Sequence, residues 1–170
     1  MYTFFNLKSF LKFLCFFLIT FSFHALYTES DKYAFSFYLP GVYKRHYHKN
    51  PYGPFYQFDH KDGYLFIHFW GRYRPRGAKL KFLKEAYEED FMKSFIKRIL
   101  KEGQKAKTDL KNVSLLRYTV ELEEQEYKLD LYLAKTRRFF YVMAFYYQPE
   151  HHDKVSRDID LMIYSAIYGR

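Results

Sequence analysis

The sequence has very little cysteine. Cys15 is the only one in 170 residues, and it lies within an apolar run at positions 13–23. A lipoprotein cysteine follows such a run after small residues, so we expect no lipidation here. If the N-terminal segment is removed, the remaining chain has no thiol. This excludes disulfide bonds, thiolate catalysis and cysteine metal sites in the remaining chain.

Acidic residues are absent from the first 25 positions. Lys8 and Lys12 precede the apolar run, and the small residue Ala25 follows it. This order is typical of a secretory signal peptide, and the run is shorter than the roughly 20 residues of a membrane span. We expect 1–25 to be a cleaved signal, with an uncleaved anchor as the alternative. Residues 26–170 are then one domain, exported to the periplasm or the extracellular space.

The sequence also lacks the motifs of common catalytic sites. It contains no nucleophile elbow, no glycine-rich phosphate loop and no HExxH. The best acid–base group would be His68, with Gln57 opposite it and Asp59 on the diagonal. Such a polar cluster on a sheet is more often structural than catalytic. We therefore expect a protein without enzymatic activity and without a catalytic residue.

Aromatic residues, in contrast, are abundant and dominate segment 55–70. Two strand-like runs flank Asp62-Gly63, which is a strong hairpin signal. A two-residue type I′ turn would place Phe55 opposite Trp70, with one apolar face and one half-polar face. The residues of the half-polar face would be Phe55, Gln57, Asp59, Phe66, His68 and Trp70.

The hydrophobic periodicity of the rest of the chain predicts six further elements. They are a strand at 33–39, a helix at 83–100 ended by Gly103, strands at 113–123, 127–133 and 139–147, and a helix at 153–168 capped by Asp153. Segment 26–32 is expected to be a mobile lead-in and 42–54 a loop. Together these elements predict an α+β fold, with a central antiparallel sheet of about six strands flanked by two main helices.

The chain resembles the PsbP/Mog1/DcrB-like family over residues 33–168. The similarity lies in the opening phrase YAFSFYLPGVYKR, in the glycine-turn hairpin followed by helix and meander, and in the closing strand, loop and helix from FFYVMAFYY onward. The resemblance implies an α/β/α sandwich. The family contains extrinsic photosystem proteins, a GTPase-binding protein and bacterial envelope proteins. It has no shared catalytic residues, so the resemblance implies none for this chain.

The chain is basic, with a formal net charge of +9. Five bases fall in 72–81 without an acid, and tyrosines are interleaved with bases from position 43 onward. Bases together with aromatics suit contacts with anionic groups. The candidate partner-binding residues are Lys44, Arg45, Tyr47, Arg72, Tyr73, Arg74, Arg76 and Lys79. An acidic segment, 121–126, is opposite in sign to this region.

These features favour an exported, non-enzymatic binding or accessory protein of the cell envelope. Its partner would be an anionic envelope component, for which a membrane surface is one option, or an acidic protein. Export argues against a nucleic acid as the partner. A solvated basic loop beside packed tyrosines is the alternative interpretation of the same residues.

Histidines suggest a second possible function, a His-dependent divalent metal-binding protein. In an extended segment, His46 and His48 would point the same way, and a ligand from His151, His152 or Glu150 would complete a zinc or copper site. The spacing matches no known metal motif, and surface histidines are the alternative. No other cofactor is expected.

Overall fold

In the computed structural model, residues 26–30, 35–40, 42–48 and 55–168 are described. The predicted signal peptide lies outside the described residues. The described residues form ten strands: β1 (Leu26–Ser30), β2 (Phe35–Leu39), β3 (Tyr43–His48), β4 (Phe55–His60), β5 (Leu65–Tyr73), β6 (Arg98–Ala106), β7 (Val113–Leu122), β8 (Gln125–Lys135), β9 (Phe139–Tyr147) and β10 (Ile167–Tyr168). The helices are α1 (Leu80–Tyr87), α2 (Lys93–Phe95) and α3 (His152–Ser165), with a π-helical turn (Glu88–Met92) between α1 and α2 and a 3-10 turn (Pro149–His151) before α3.

Seven strands form one antiparallel sheet in the order β3-β4-β5-β9-β8-β7-β6. Two meanders, β3 to β5 and β6 to β9, meet where β5 pairs with β9. All nine residues of β9 are buried, because this strand lies at the centre of the sheet and is covered on both faces. A second, small sheet contains β1, β2 and β10. The α+β class is confirmed, with slightly more strands than predicted.

The central hairpin has the predicted register. Phe55 lies opposite Trp70, and Gln57 lies opposite His68. The turn differs from the prediction, since a type I′ turn needs positive φ at both central residues and only Gly63 of the pair, at φ +75°, has it. The turn closes instead with the Gly63 amide donating to the His60 carbonyl at 2.9 Å.

The two faces of the large sheet carry separate apolar cores. On one face, Phe58, Leu65 and Ile67 pack beneath α3 and β2. On the other, Phe55 and Trp70 pack beneath α1 and the π-helical turn. The parity of the hairpin therefore assigns side chains to cores as predicted, and each face is covered by its own helix.

The predicted long helix at 83–100 is wrong at its C-terminal end. Helical structure stops at Phe95, and β6 begins at Arg98. Ile99 and Leu100 fit a helical stripe by spacing, but Ile99 pairs with Val120 of β7. Both side chains remain about two-fifths exposed, at 39% and 42%. An uncovered edge strand leaves its apolar residues in solvent, so periodicity does not reveal it.

Three smaller predictions also need correction. Segment 42–54 is not wholly a loop, because β3 occupies its first half and pairs with β4. Segment 26–32 is not merely a lead-in, because β1 pairs with β2. The residue before α3 is His151, without a side-chain cap, so Asp153 lies in the first turn rather than at the N-cap. Within the described residues, no helix is long and apolar enough to cross a membrane.

Candidate functional site

One end of the large sheet holds a net positive charge almost as large as that of the whole chain. Strand pairing brings together the end of β5, the start of β9, the end of β8 and the start of β7. The connecting segments at this end are 74–79, 107–112 and 136–138. We call this end the basic pole. Its bases are Arg72, Arg74, Arg76, Lys79, Lys107, Lys111, Lys135, Arg137 and Arg138.

Hydrogen bonds join these segments into one surface. The Arg74 amide donates to the Arg138 carbonyl at 2.8 Å. The Arg74 guanidinium donates from Nε to the Ala78 carbonyl and from Nη1 to the Thr136 carbonyl, both at 3.1 Å. The Lys135 amide donates to the Asn112 carbonyl at 3.2 Å. Arg74 therefore positions the pole, since its side chain is held by carbonyl groups of two segments.

The basic pole contains far more bases than acids. Asp109 is its only acid, so segments 72–79, 107–111 and 135–138 carry a net charge of +8, against +9 for the whole chain. Arg76, Lys79, Arg137 and Arg138 are exposed. Within the described ranges, the ion pairs do not involve seven of the nine bases, namely Arg76, Lys79, Lys107, Lys111, Lys135, Arg137 and Arg138. A net positive charge of this size attracts anions.

A cleft and two aromatic side chains complete the basic pole. The cleft has a volume of about 330 Å³ and is lined by Lys111, Asn112, Val113, Ala134, Lys135 and Thr136. Tyr73, at the end of β5, is 58% exposed, and Phe82, in α1, is 40% exposed. The Arg72 guanidinium lies 5.4 Å from the Phe82 ring centroid and 5.3 Å from that of Trp70. Aromatic rings thus flank the bases.

Three predicted partner-binding residues lie elsewhere. Lys44, Arg45 and Tyr47 are exposed on β3, the edge strand two places from β5. Arg45 is in register with Phe58 and Ile67. Ile67 precedes Arg72 by five residues along β5, which is roughly 17 Å at strand spacing. The structure thus groups Arg72, Tyr73, Arg74, Arg76 and Lys79 and separates them from the β3 residues.

Sequence reasoning missed the contribution of 107–111 and 135–138 to the pole. The second segment is recognisable in the sequence as a basic turn, KTRR, but its place beside 72–79 depends on β5 pairing with β9. Nothing local in the sequence specifies that pairing, because the two strands are separated by more than 60 residues.

The candidate metal ligands do not converge. His46 and His48 lie on the sheet face of Gln57 and Phe55. His151 lies beside the Tyr64 ring, and His152, at the start of α3, is hydrogen-bonded to the Tyr147 hydroxyl. In the part of the chain that the structure describes, no three metal-binding side chains group together. The metal-binding hypothesis stays a prediction, to be decided by calorimetric titration with zinc and copper.

His68 has a different partner from the one expected. Its Nδ1 lies 3.1 Å from the Tyr87 hydroxyl, which lies 3.0 Å from the Tyr146 hydroxyl. Asp59 instead accepts a hydrogen bond from Gln57 at 2.8 Å and lies 3.1 Å from His46 Nε2. Burial lowers the pKa of His68 to about 3, with a further contribution from His48. His68 is therefore a neutral member of a buried hydrogen-bond network.

A second cleft, of about 460 Å³, lies between the helical segment and β6. Met92, Ile96 and Ile99 supply apolar surface to its lining. Its bases are paired with carboxylates, since Lys84 contacts Glu88 at 3.0 Å and Arg98 contacts Glu121 at 2.7 Å. This cleft therefore offers much less uncompensated charge than the basic pole.

Comparison with known proteins identifies the fold. The solution structure of cyanobacterial PsbP (CyanoP) from Synechocystis sp. PCC 6803 is similar, with a TM-score of 0.62 and 11% sequence identity over 84% of this chain and 91% of that chain. A Pseudomonas aeruginosa protein of unknown function, PA94, described as a putative regulator, matches with a TM-score of 0.40 and 11% identity over 81% and 94% of the two chains. No family model and no curated protein sequence matches. The chain thus has a PsbP-like fold, as the resemblance in the sequence implied.

Proposed function

Starting from a PsbP-like fold, we propose that this protein is an exported, non-enzymatic accessory protein of the cell envelope that binds an anionic partner through the basic pole. The observation that carries the proposal is the concentration of charge. Segments covering a small part of the chain hold a net charge of +8, nearly the whole excess of the protein. Solubility alone would be served equally well by bases spread over the surface.

The supporting detail is how the bases are held. Arg74 fixes the backbone of two segments, so the exposed bases project from a framework rather than from mobile tails. A preorganised surface loses less conformational entropy when it binds. The proposed contact leaves out the β3 residues Lys44 and Arg45, which are in register with Phe66 and Ile67, five or more residues before Arg72. Tyr47 lies level with Phe69 on the edge strand, outside the row of basic segments.

The test compares two variants that lose the same charge from different places. Arg72 and Arg74 are left intact, because their side chains pack and bond within the fold. The pole variant is Arg76→Gln, Lys79→Gln, Arg137→Gln and Arg138→Gln. The control variant is Lys61→Gln, Lys93→Gln, Lys101→Gln and Arg157→Gln. All eight positions are exposed.

We expect the pole variant to bind immobilised heparin, a soluble polyanion, at least about tenfold more weakly than the wild type at physiological salt, since each base near an anionic surface contributes about 1 kcal/mol. The control variant should elute close to the wild-type salt concentration. Equal shifts for the two variants would mean that only net charge matters, and the proposal would be wrong.

A further inference from the structure

The shape of the basic pole limits the kind of partner. Its segments follow the ends of β5, β9, β8, β7 and β6, which are consecutive in the sheet. At about 4.8 Å between strands, the row is roughly 20 Å long. The 330 Å³ cleft touches only Lys111 and Lys135 of the nine bases. A small anion in this cleft would leave most of the charge unused, so the row fits an extended anionic surface.

The position of the aromatic residues distinguishes between two extended surfaces. In a protein–protein interface, apolar and aromatic residues lie at the centre, and charges lie at the rim. Here the arrangement is the reverse. The backbones of Arg74 and Arg138 are hydrogen-bonded in the plane of the sheet. Tyr73 lies on the α3 face of the sheet and Phe82 on the opposite, α1 face, so the bases lie between the two aromatic side chains.

This arrangement suits the surface of a lipid bilayer. Basic side chains contact the phosphate groups of anionic lipids, and aromatic side chains enter the interfacial layer beside them. Tyr73 and Phe82 are already substantially exposed, so inserting them would need no opening of either core. The strands would then be roughly perpendicular to the membrane, with the acidic segment 121–126 directed away from it.

We infer that the basic pole docks on an anionic membrane surface, with its bases on lipid phosphates and with Tyr73 and Phe82 inserted between headgroups. This inference rests on the proposed function and narrows its anionic partner to a lipid surface. It predicts two properties that can be tested separately. Membrane binding should depend on the charge of the lipid, and it should depend on the two aromatic side chains.

The experiment uses sedimentation with vesicles of phosphatidylglycerol and phosphatidylcholine in equal parts, and with vesicles of phosphatidylcholine alone. The wild type should bind the anionic vesicles, with an affinity that falls as salt rises, and should not bind the neutral ones. The variant Tyr73→Ser/Phe82→Ser should bind anionic vesicles about tenfold more weakly, because it loses apolar surface that enters the interface. Its elution from heparin should shift less than that of the pole variant, because it keeps all nine bases of the pole.

A matched variant, Tyr47→Ser/Phe95→Ser, removes two aromatics that are 60% and 40% exposed. Both lie outside the row of basic segments, and Phe95 packs on Tyr146 near the opposite end of β9. This variant should bind vesicles like the wild type. If the Tyr73→Ser/Phe82→Ser variant does not fold, Tyr73→Trp provides a second measurement. Its emission should shift to shorter wavelength on anionic vesicles, while Trp70, which is fully buried, contributes a constant signal.

The outcomes separate this inference from the function it rests on. Heparin binding that depends on the pole, without vesicle binding, would indicate an acidic protein or polymer as the partner, and would overturn the inference but not the proposed function. Vesicle binding that is unaffected by the loss of Tyr73 and Phe82, or a Tyr73→Trp emission that does not move, would also overturn it. Failure of the pole variant to differ from its charge-matched control would overturn both.

Discussion

At the scale of single residues, the neighbours of a side chain decide its chemistry. His68 and Asp59 lie on the same face of the hairpin, and their spacing is compatible with an acid–base pair. The helix above the sheet supplies Tyr87, whose hydroxyl lies 3.1 Å from His68 Nδ1. The rings of Phe55 and Phe95, with centroids at 4.9 Å, complete the enclosure. His68 is therefore part of the core rather than a reactive group.

This environment predicts how stability depends on pH. Burial lowers the pKa of His68 to about 3, below its value of about 6.5 in an unfolded chain. Between these values the unfolded chain binds a proton that the folded protein does not. The contribution of His68 to the free energy of unfolding is thus complete above about pH 6.5 and is lost as the pH falls towards 3, by up to about 1.4 kcal/mol per pH unit.

The variant His68→Phe lacks this titration, so we expect its free energy of unfolding to fall less steeply than that of the wild type between pH 6 and pH 4. Urea unfolding at several pH values measures the slope. The variant also loses the hydrogen bond to Tyr87, but this loss is the same at every pH and does not change the slope. Parallel curves for the two proteins would contradict the assignment of His68 as a buried, neutral histidine.

At the scale of elements, the edge strand β6 shows what sequence patterns do not reveal. Gly103 follows an amphipathic stretch, a pattern that predicts the end of a helix. It lies instead within β6, where a methyl group in place of its hydrogen would overlap the Tyr118 ring. Tyr118 is held in place, because it is buried and donates a hydrogen bond to Glu88 at 2.8 Å. The glycine lets an aromatic ring cover the edge strand.

We therefore expect Gly103→Ala to lower the free energy of unfolding by about 1–3 kcal/mol, because the Tyr118 ring must move and strain its hydrogen bond to Glu88. Chemical denaturation measures the change. The neighbouring, exposed position provides the control, since Gln104→Ala should change stability by less than about 0.5 kcal/mol. If the two variants were equally stable, the close packing of Tyr118 on Gly103 would be disproved.

At the scale of the whole molecule, charge is divided along the strand direction. The basic pole lies at the Val113 end of β7, and the turn between β7 and β8 lies at the other end, where Glu123 and Glu124 occupy its two central positions with positive φ. Nine residues of strand separate the two ends by about 30 Å. This distance is several times the Debye length of about 8 Å at physiological salt.

Because of this screening, the acidic turn should not influence binding at the basic pole. The variant Glu123→Gln/Glu124→Gln raises the net charge by two, yet we expect it to elute from heparin at the wild-type salt concentration when the column is run at or above physiological ionic strength. A later elution would show that the total charge, rather than the local charge, governs binding. The side chains are exposed, so the fold should not be affected.

Much of the fold was predictable because it depends on local patterns in the sequence. The hairpin register, the buried strand at 139–147 and the terminal helix follow from parity and periodicity, which depend on neighbours a few residues apart. The strands β3 and β6 were not predictable, because edge strands bury little on either face and lack an alternating pattern. For the candidate site, Arg72 to Lys79 could be found from composition alone, whereas the extent of the pole could not.

The sequence by itself determined the α+β class, the absence of a thiol after residue 25, the excess of basic charge and the core-facing side of the central hairpin. These properties depend on composition and short-range order. Only the tertiary structure decided that the KTRR turn lies beside 72–79 and Lys111 beside Lys135, that Lys44 and Arg45 lie away from them, and that His68 bonds Tyr87. These contacts require pairing or packing between residues distant in the chain, and the sequence encodes them only through the energy of the complete fold.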